Sequence, residues 1–406
     1  MTTSAPLHLA VELDGRGAHP GAHLVDGPPL TRAAWPDDAE SGDVGPARLR
    51  RAVAAAQEAG VTFVTFDDSL TPPTTGPGLR LDAVTRAAHV APTTSRIGLV
   101  PLVHPAVTEP FHVAAQIASL DHASRGRAGW LVGTGDVPGA RAALDRPVAV
   151  GDDLRAETAD VARVLAALWD SWEDDAVVRD TATGRYVDRE RLHRVDFVSG
   201  GTGPTASPAS RDVPDGVRAP FSVVGPLIVP RGPQGRPVVV ARAGVLPGDQ
   251  VDVALVGPGA ADDPHLTAAT LGASWVARAA QDARAAGAPR VLLDLAVVLD
   301  TADATAWERA DELDGAAAPA PGSAWSSSAR WTGPAAGLTE LLLALRGVVD
   351  GVRLLPAVQD VDLAVVVRDV VPPLRVARAV PTPRPGATLR DTLGLERPAH
   401  QFARGA

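Results

Sequence analysis

Two histidines stand just after runs that predict buried strands, and each could do acid–base chemistry. His19 follows the apolar run at residues 7–13, and His104 follows the run at 96–103. Imidazole titrates near neutral pH, so either ring could donate or accept a proton or hydrogen-bond to a substrate. For His19, an ordinary position in a surface loop is equally compatible with the sequence.

Two further positions could contact a bound planar ring. Asp68 is the second of two adjacent carboxylates after the run at 61–66, where it could orient a cofactor or cap a helix. Thr134 lies among the small residues 133–136, where a flat ring could approach the backbone closely. These side chains therefore predict either a ligand site or local turn chemistry.

Several other chemistries are excluded by what the sequence lacks. The chain has no cysteine, which rules out disulfides, thiolate metal sites and a cysteine nucleophile. Its ten histidines show none of the paired spacings that hold a zinc ion. A Walker A loop, a dinucleotide fingerprint and a Gly-x-Ser-x-Gly elbow are also missing. The residues therefore indicate a bound organic cofactor or no catalysis at all.

Composition narrows the class of protein. All 38 basic residues are arginine, and 48 Asp and Glu bring the net charge to −10, which argues against a nucleic-acid surface. A hydrophobic fraction of 45% is sufficient for a buried core. The first residues carry no targeting pattern, and no run reaches the roughly 18 to 20 apolar residues of a membrane span. We expect a cytoplasmic protein.

Eight apolar runs, separated by helical patterns, must position the candidate residues. They lie at 7–13, 61–66, 96–103, 128–133, 237–241, 251–256, 290–299 and 351–355. Continuous apolar strands that alternate with helices are typical of a parallel sheet covered on both faces. Eight such units predict a single α/β domain, a (β/α)8 TIM barrel, although an open doubly wound sheet stays possible. In a barrel, the residues that follow the strands meet at one rim.

Three segments lie outside this alternation. Residues 172–235 separate the fourth helix from the fifth strand, and 199–220 within them are rich in Gly, Ser, Pro and Thr, which predicts a mobile loop. A polar stretch rich in Ala and Pro, 314–334, precedes the eighth unit, and 376–406 form a C-terminal extension. The expected domain is thus a barrel with insertions.

Uncommon strings of residues, in order along nearly the whole chain, resemble those of one enzyme family. They include Arg96-Ile-Gly-Leu-Val-Pro-Leu, Thr108-Glu-Pro-Phe-His and Gly386-Ala-Thr-Leu-Arg-Asp-Thr-Leu-Gly. The chain resembles the bacterial luciferase-like, flavin-dependent monooxygenases. Within them it is most similar to the branch of nitrilotriacetate monooxygenase component A, dibenzothiophene sulfone monooxygenase and long-chain alkane monooxygenase. The resemblance implies the same barrel.

The resemblance also implies an activity. Such enzymes take reduced FMN from a separate flavin reductase and use it with O2 to oxygenate a small organic substrate. Two alternatives stay open, namely a deazaflavin-dependent oxidoreductase and a non-catalytic barrel that has lost its phosphate site. Because members of the family are often dimers or tetramers, a homo-oligomer is expected.

Five residues are candidates for the site that the resemblance implies. His19 matches the family's histidine after the first strand and, with His104, is the candidate catalytic pair. Asp68 and Thr134 match residues beside the flavin. Arg242 would hold the flavin phosphate by a charge-assisted hydrogen bond, although a surface role is equally compatible.

Two departures from the family's pattern concern the phosphate. The turn at 241–250 has no Ser or Thr and is too short for the usual helix before the next strand. Residues 137–153 offer arginine but neither the His nor the Tyr that the family often carries there. A weakened or lost phosphate site is therefore one of the expectations.

Overall fold

Eight parallel strands close into a ring at the centre of the protein. The computed structural model describes residues 5–13, 15–24, 45–70, 81–134, 149–200, 220–319 and 323–402. The ring consists of β1 (His8–Glu12), β2 (Phe63–Phe66), β3 (Gly98–Val103), β4 (Gly129–Val132), β5 (Val238–Arg242), β6 (Val253–Val256), β7 (Arg290–Leu299) and β8 (Gly351–Pro356). Neighbours pair in chain order and β8 pairs with β1, so the predicted (β/α)8 barrel is confirmed.

Alternate side chains of the strands fill the inside of this ring. Phe63, Val100, Leu131, Val240 and Leu292 belong to one buried cluster although they come from five different strands. Side chains of a strand alternate between its two faces, so the intervening residues pack outward against helices. The barrel is therefore a packed core, and any ligand must bind at one of its ends.

Helices connect most of the strands and cover the outside of the ring. They are α1 (Pro46–Ala59), α2 (Ala83–Val90), α3 (Pro110–Ser124), α4 (Gly151–Trp169), α5 (Val276–Ala285), α6 (Ala306–Ala316) and α7 (Ala335–Ala344), with α8 (Gln359–Val365) and α9 (Val371–Val376) after β8. Between β5 and β6 the chain makes only the 3-10 turn Gly248–Gln250, as the short spacing predicts. None of the described helices is long and apolar enough to span a bilayer.

The sequence pattern predicts an interruption at 314–334, but this is wrong for Ala329–Gly333, which form a ninth parallel strand. This strand pairs with the second half of β7, from Leu295 to Leu299. The first half of β7 pairs with β6 instead. The ten-residue strand β7 therefore has two successive neighbours along one edge, and the ninth strand extends the barrel wall at its C-terminal end.

The insertion at 172–235 and the C-terminal extension both pack onto the barrel. The insertion contains two antiparallel pairs, Val177–Asp180 with Arg185–Val187 and Asp196–Val198 with Ser222–Val224. Most of the predicted mobile loop, 201–219, lies outside the described residues.

The short helix α10 (Leu389–Leu393) closes the N-terminal end of the barrel. Leu389 and Leu393 join the interior cluster, and Arg390 donates to both carboxylate oxygens of Asp252 at 2.8 and 2.7 Å. This end of the barrel is therefore filled by protein. The opposite end, where the strands terminate at their carboxyl ends, is the end available for a functional site.

Candidate active site

His104 lies at the junction of three neighbouring strand ends. It follows β3, its ring hydrogen-bonds to the backbone of Asp68 after β2, and it packs on Gly133 after β4. A Cβ atom on Gly133 would lie only 2.5 Å from Nδ1 of this ring, so the glycine is required for the packing. Burial lowers the pKa of His104, although the nearby Asp67 carboxylate opposes the shift, and the ring is therefore neutral near pH 7.

The carboxylate of Asp68 accepts a hydrogen bond at the start of a helix. Its Oδ1 accepts a hydrogen bond from the Ser69 backbone N–H at 2.8 Å, and its Oδ2 accepts one from the Ala83 backbone N–H at 2.9 Å. Ala83 is the first residue of α2, whose free N–H groups favour a negative charge. Asp68 thus has the capping role that the sequence allowed, and each oxygen keeps a second lone pair for a ligand.

Thr134 is exposed at the end of β4, next to the glycine that contacts His104. The neighbouring Gly135 and Asp136, like most of the stretch 137–153, lie outside the described residues. Asp68, His104 and Thr134 are thus brought to one part of the rim, as expected for strand ends of a barrel.

His19 lies on the same rim after β1, but both of its ring nitrogens have protein partners. Nδ1 accepts a hydrogen bond from the Gly21 backbone N–H at 3.0 Å. The proton must therefore sit on Nε2, which lies 3.1 Å from Oδ1 of Asp314. Burial lowers the pKa of His19, and the contact with Asp314 opposes this shift. The buried imidazole is therefore neutral and held in place, and its edge packs against the Trp325 ring at a centroid distance of 4.7 Å.

Arg242, the candidate phosphate ligand, points into the barrel from the end of β5. Its Nη1 donates to the Ser327 carbonyl at 3.0 Å, and its Nη2 lies 3.2 Å from Oδ2 of Asp294 on β7. The side chain is 30% exposed, so it belongs to the barrel mouth rather than to the outer surface. Its charge is already balanced by a carboxylate.

Asp294 belongs to an ion cluster inside the barrel that the sequence analysis did not identify. Arg353 on β8 donates to both oxygens of Asp294, at 2.7 and 2.8 Å, and to Oε2 of Glu12 on β1 at 2.8 Å. Burial alone lowers the pKa of Arg353, but the two carboxylates raise it above its ordinary value. With Arg242, the cluster contains two arginines and two carboxylates, and it carries no net charge.

A small cavity lies at the C-terminal ends of β7 and the ninth strand. His19, Trp307, Trp325 and Arg330 contribute to its wall, and Ala296 lies on the same face of β7 as Asp294, two residues further on. The cavity is therefore one layer of side chains above the ion cluster. Of these residues, only His19 is among the candidates from the sequence. Among the described residues, no group of three or more His, Asp or Glu is placed to hold a metal ion.

The fold and the strings of uncommon residues point to the same family, and comparison with known proteins confirms it. Residues 30–341 match the sequence model of the luciferase-like monooxygenases. This protein belongs to the luciferase-like monooxygenase family.

The similar proteins include a member of the branch that the resemblance indicated. Nitrilotriacetate monooxygenase component A of Aminobacter aminovorans is 35% identical over 173 residues, 42% of this chain and 34% of that protein. N-acetyl-S-(2-succino)cysteine monooxygenase of Bacillus subtilis (strain 168) is 35% identical over 162 residues, 40% of this chain and 32% of that protein. The matched segment thus spans about a third of the length of these two relatives.

One solved structure shows the same fold over nearly the whole chain. A riboflavin lyase, solved with modified FMN and riboflavin, superposes with a TM-score of 0.69 at 19% identity and covers 97% of this chain and 96% of its own. At this level of identity the likeness concerns the fold.

FMN, the cofactor that the family implies, needs a place for its ring and donors for its phosphate. For the ring, the rim offers the exposed Thr134 hydroxyl, the half-buried Asp68 and the neutral His104. For the phosphate, Arg242 is poorly suited because Asp294 and Ser327 already occupy its guanidinium. The described residues therefore fit the ring end of the cofactor, and Arg242 does not fit the phosphate end.

Proposed function

We propose that this protein is a flavin-dependent monooxygenase of the two-component type, which uses reduced FMN and O2 to oxygenate a small organic substrate. The observation that carries the proposal is the junction of His104, Asp68 and Thr134 at the C-terminal rim of a barrel from this family. Active sites of such barrels lie at this rim. The names of the relatives, one of them a component A, support both the activity and a separate flavin reductase as partner.

Reduced FMN, when bound, supplies the activation of O2, and the protein supplies binding and orientation. His104 is kept neutral by burial, so it can hydrogen-bond to a substrate or accept a proton at its ring. Thr134 and Asp68 contribute a hydroxyl and carboxylate oxygens beside the ring. His19 holds its ring fixed through Gly21 and Asp314 and thereby shapes the other side of the rim.

A titration with FMN tests the cofactor assignment. We expect the flavin fluorescence to be quenched with a dissociation constant in the micromolar range. Reduced FMN, generated by an added flavin reductase, should then support substrate-dependent uptake of O2. The His104→Ala variant should lose most of this uptake, whereas the matched control His112→Ala should keep it, because His112 is exposed on α3.

Two results would replace the proposal by one of its alternatives. The absence of any change in flavin fluorescence up to millimolar FMN would indicate a non-catalytic barrel, and the pairing of Arg242 with Asp294 already favours a weakened phosphate site. Hydride transfer with a reduced deazaflavin, without O2 uptake, would indicate the oxidoreductase. We further propose that the protein forms a homo-oligomer, which the molar mass in solution tests directly.

A further inference from the structure

The cavity beside His19 has the size of a small ligand group. It encloses about 160 Å³ between the end of β7, the ninth strand and helix α6. A dry protein cavity of roughly 150 Å³ accommodates a benzene ring. The cavity therefore matches a compact group of that size in volume.

Arg330 brings to this cavity a positive charge that makes no ion pair with the described residues. It pairs in register with Ala296, so its side chain is on the cavity face of the ninth strand. The residues that the structure describes provide no hydrogen-bond acceptor and no carboxylate partner for its half-buried guanidinium, and its Nε is buried without a partner. Arg242, Arg309 and Arg353, by contrast, all pair with carboxylates. A half-buried cation without a partner is unfavourable by itself, and an anionic ligand would satisfy it.

Two of the three tryptophans that line the cavity, Trp307 and Trp325, offer apolar ring surface. Trp325 is buried against the His19 ring. Trp307 lies at the mouth, where it stacks on His265 at a centroid distance of 6.3 Å and is 59% exposed. Indole rings bind planar apolar groups over a large area at little entropic cost. The cavity thus combines a cationic partner with a surface for a ring or a short apolar chain.

The carboxylates at the mouth select among anions. Asp311 and Asp314, on α6, contribute to the cavity and are exposed. Their negative charges repel any anion, and they repel a dianion about twice as strongly as a monoanion, so a phosphate dianion is disfavoured relative to a single carboxylate.

We propose that this cavity binds one end of the substrate, a group of about the size of benzoate that carries a single carboxylate. Arg330 pairs with the carboxylate, and Trp307 and Trp325 hold the apolar part. The inference deepens the proposed function, since the cavity lies at the same rim as His104 and would orient the remainder of the substrate towards it. The proposed class of substrate is thus one that carries a single carboxylate.

Calorimetric titration of the intact protein with benzoate, without flavin, tests this inference. We expect a dissociation constant below about 1 mM for the wild type. Arg330→Gln should weaken binding by at least about tenfold, because a charge-assisted pair is lost, and Arg330→Lys should be intermediate. The control Arg375→Gln changes an exposed arginine in α9 and should bind as the wild type does. Thermal unfolding of each variant verifies that it is folded.

Several results would overturn the inference. These are no benzoate binding up to about 10 mM, equal binding by the Arg330→Gln variant, neutral benzamide binding as tightly as benzoate, or inorganic phosphate binding more tightly than benzoate. Because the titration uses no flavin, its failure leaves the flavin titration unaffected. Conversely, if the protein binds benzoate but does not bind FMN, the carboxylate site is supported and the proposed monooxygenase activity is refuted.

Discussion

Arg353 on β8 and Asp294 on β7 form a two-pronged ion pair in the middle of the barrel, with N–O distances of 2.7 and 2.8 Å. Both side chains are almost completely buried. Glu12 accepts a third hydrogen bond from the same guanidinium, and Arg242 approaches Asp294 from the mouth. These four side chains therefore join four strands below the rim, and the loss of one partner would leave a buried charge without compensation.

Replacement of Arg353 should be strongly destabilising. In the Arg353→Met variant, Asp294 and Glu12 stay buried, and we expect the free energy of unfolding to fall by about 3–5 kcal/mol. Denaturation in urea measures this change. Arg368→Met is the matched control, because Arg368 is exposed and its partner among the described residues is its neighbour Asp369, which predicts a loss below about 1 kcal/mol. Equal losses in the two variants would contradict the role of the cluster.

The barrel could be predicted because the eight ring strands are short apolar runs with helices between them. The ninth strand was not predicted, because the alternation of Ala329 and Trp331 with Arg330 and Thr332 is short and lies within a polar stretch rich in Ala and Pro. Within a polar stretch, five such residues resemble a loop. These residues form a strand because they pair with β7, and the sequence does not reveal this contact between distant segments.

The candidate site was predictable at the level of the rim. Residues after strands meet there in any parallel barrel, and this explains why His104 and Asp68 are close. Their contacts were not predictable, because the sequence does not state which residues share a layer inside the ring. Glu12, Asp294 and Arg353 were nevertheless detectable, since each is a charged residue within an apolar run. Such a residue needs an opposite charge inside the barrel.

Stability should respond to the titration of His8 at the start of β1. Burial lowers the pKa of His8 to about 4, with Arg290 adding to the shift and Asp350 opposing it. Between pH 6.5 and 4 the unfolded chain therefore binds a proton that the folded chain does not bind. The free energy of unfolding decreases as the pH falls through this range.

Compared with the His8→Gln variant, the wild type should lose about 3 kcal/mol of unfolding free energy across this window. Urea denaturation at several pH values provides the measurement, and His89→Gln, an exposed histidine on α2, is the control. A constant difference between wild type and His8→Gln would refute the shifted titration.

Asp121 on α3 should have the opposite effect. Burial raises its pKa to about 6, although hydrogen bonds from Gln234 and the Ala128 backbone oppose the shift. The folded chain therefore binds a proton between pH 6 and 4 that the unfolded chain binds only at lower pH, and stability rises as the pH falls.

In Asp121→Asn this gain is absent, so the wild type should gain about 3 kcal/mol relative to the variant between pH 6 and 4. The same denaturation series measures it, and the exposed Asp152→Asn substitution in α4 is the control. A gain in the wild type that Asp152→Asn removes equally would show that the effect does not come from burial of Asp121.

The packing of His104 on Gly133 predicts a specific coupling between the two positions. In Gly133→Ala the new methyl group would lie 2.5 Å from the ring, so His104 must move away from Asp68. We expect a loss of about 1–3 kcal/mol in unfolding free energy, together with reduced O2 uptake in the flavin assay. Gly272→Ala is the control, because its Cβ would meet nothing within 4 Å. In the double variant Gly133→Ala/His104→Ala the clash is absent, and the stability cost should fall well below the sum of the two single costs. Additive costs would mean that the ring can leave Gly133 freely, and then the junction of β2, β3 and β4 would not be held by His104.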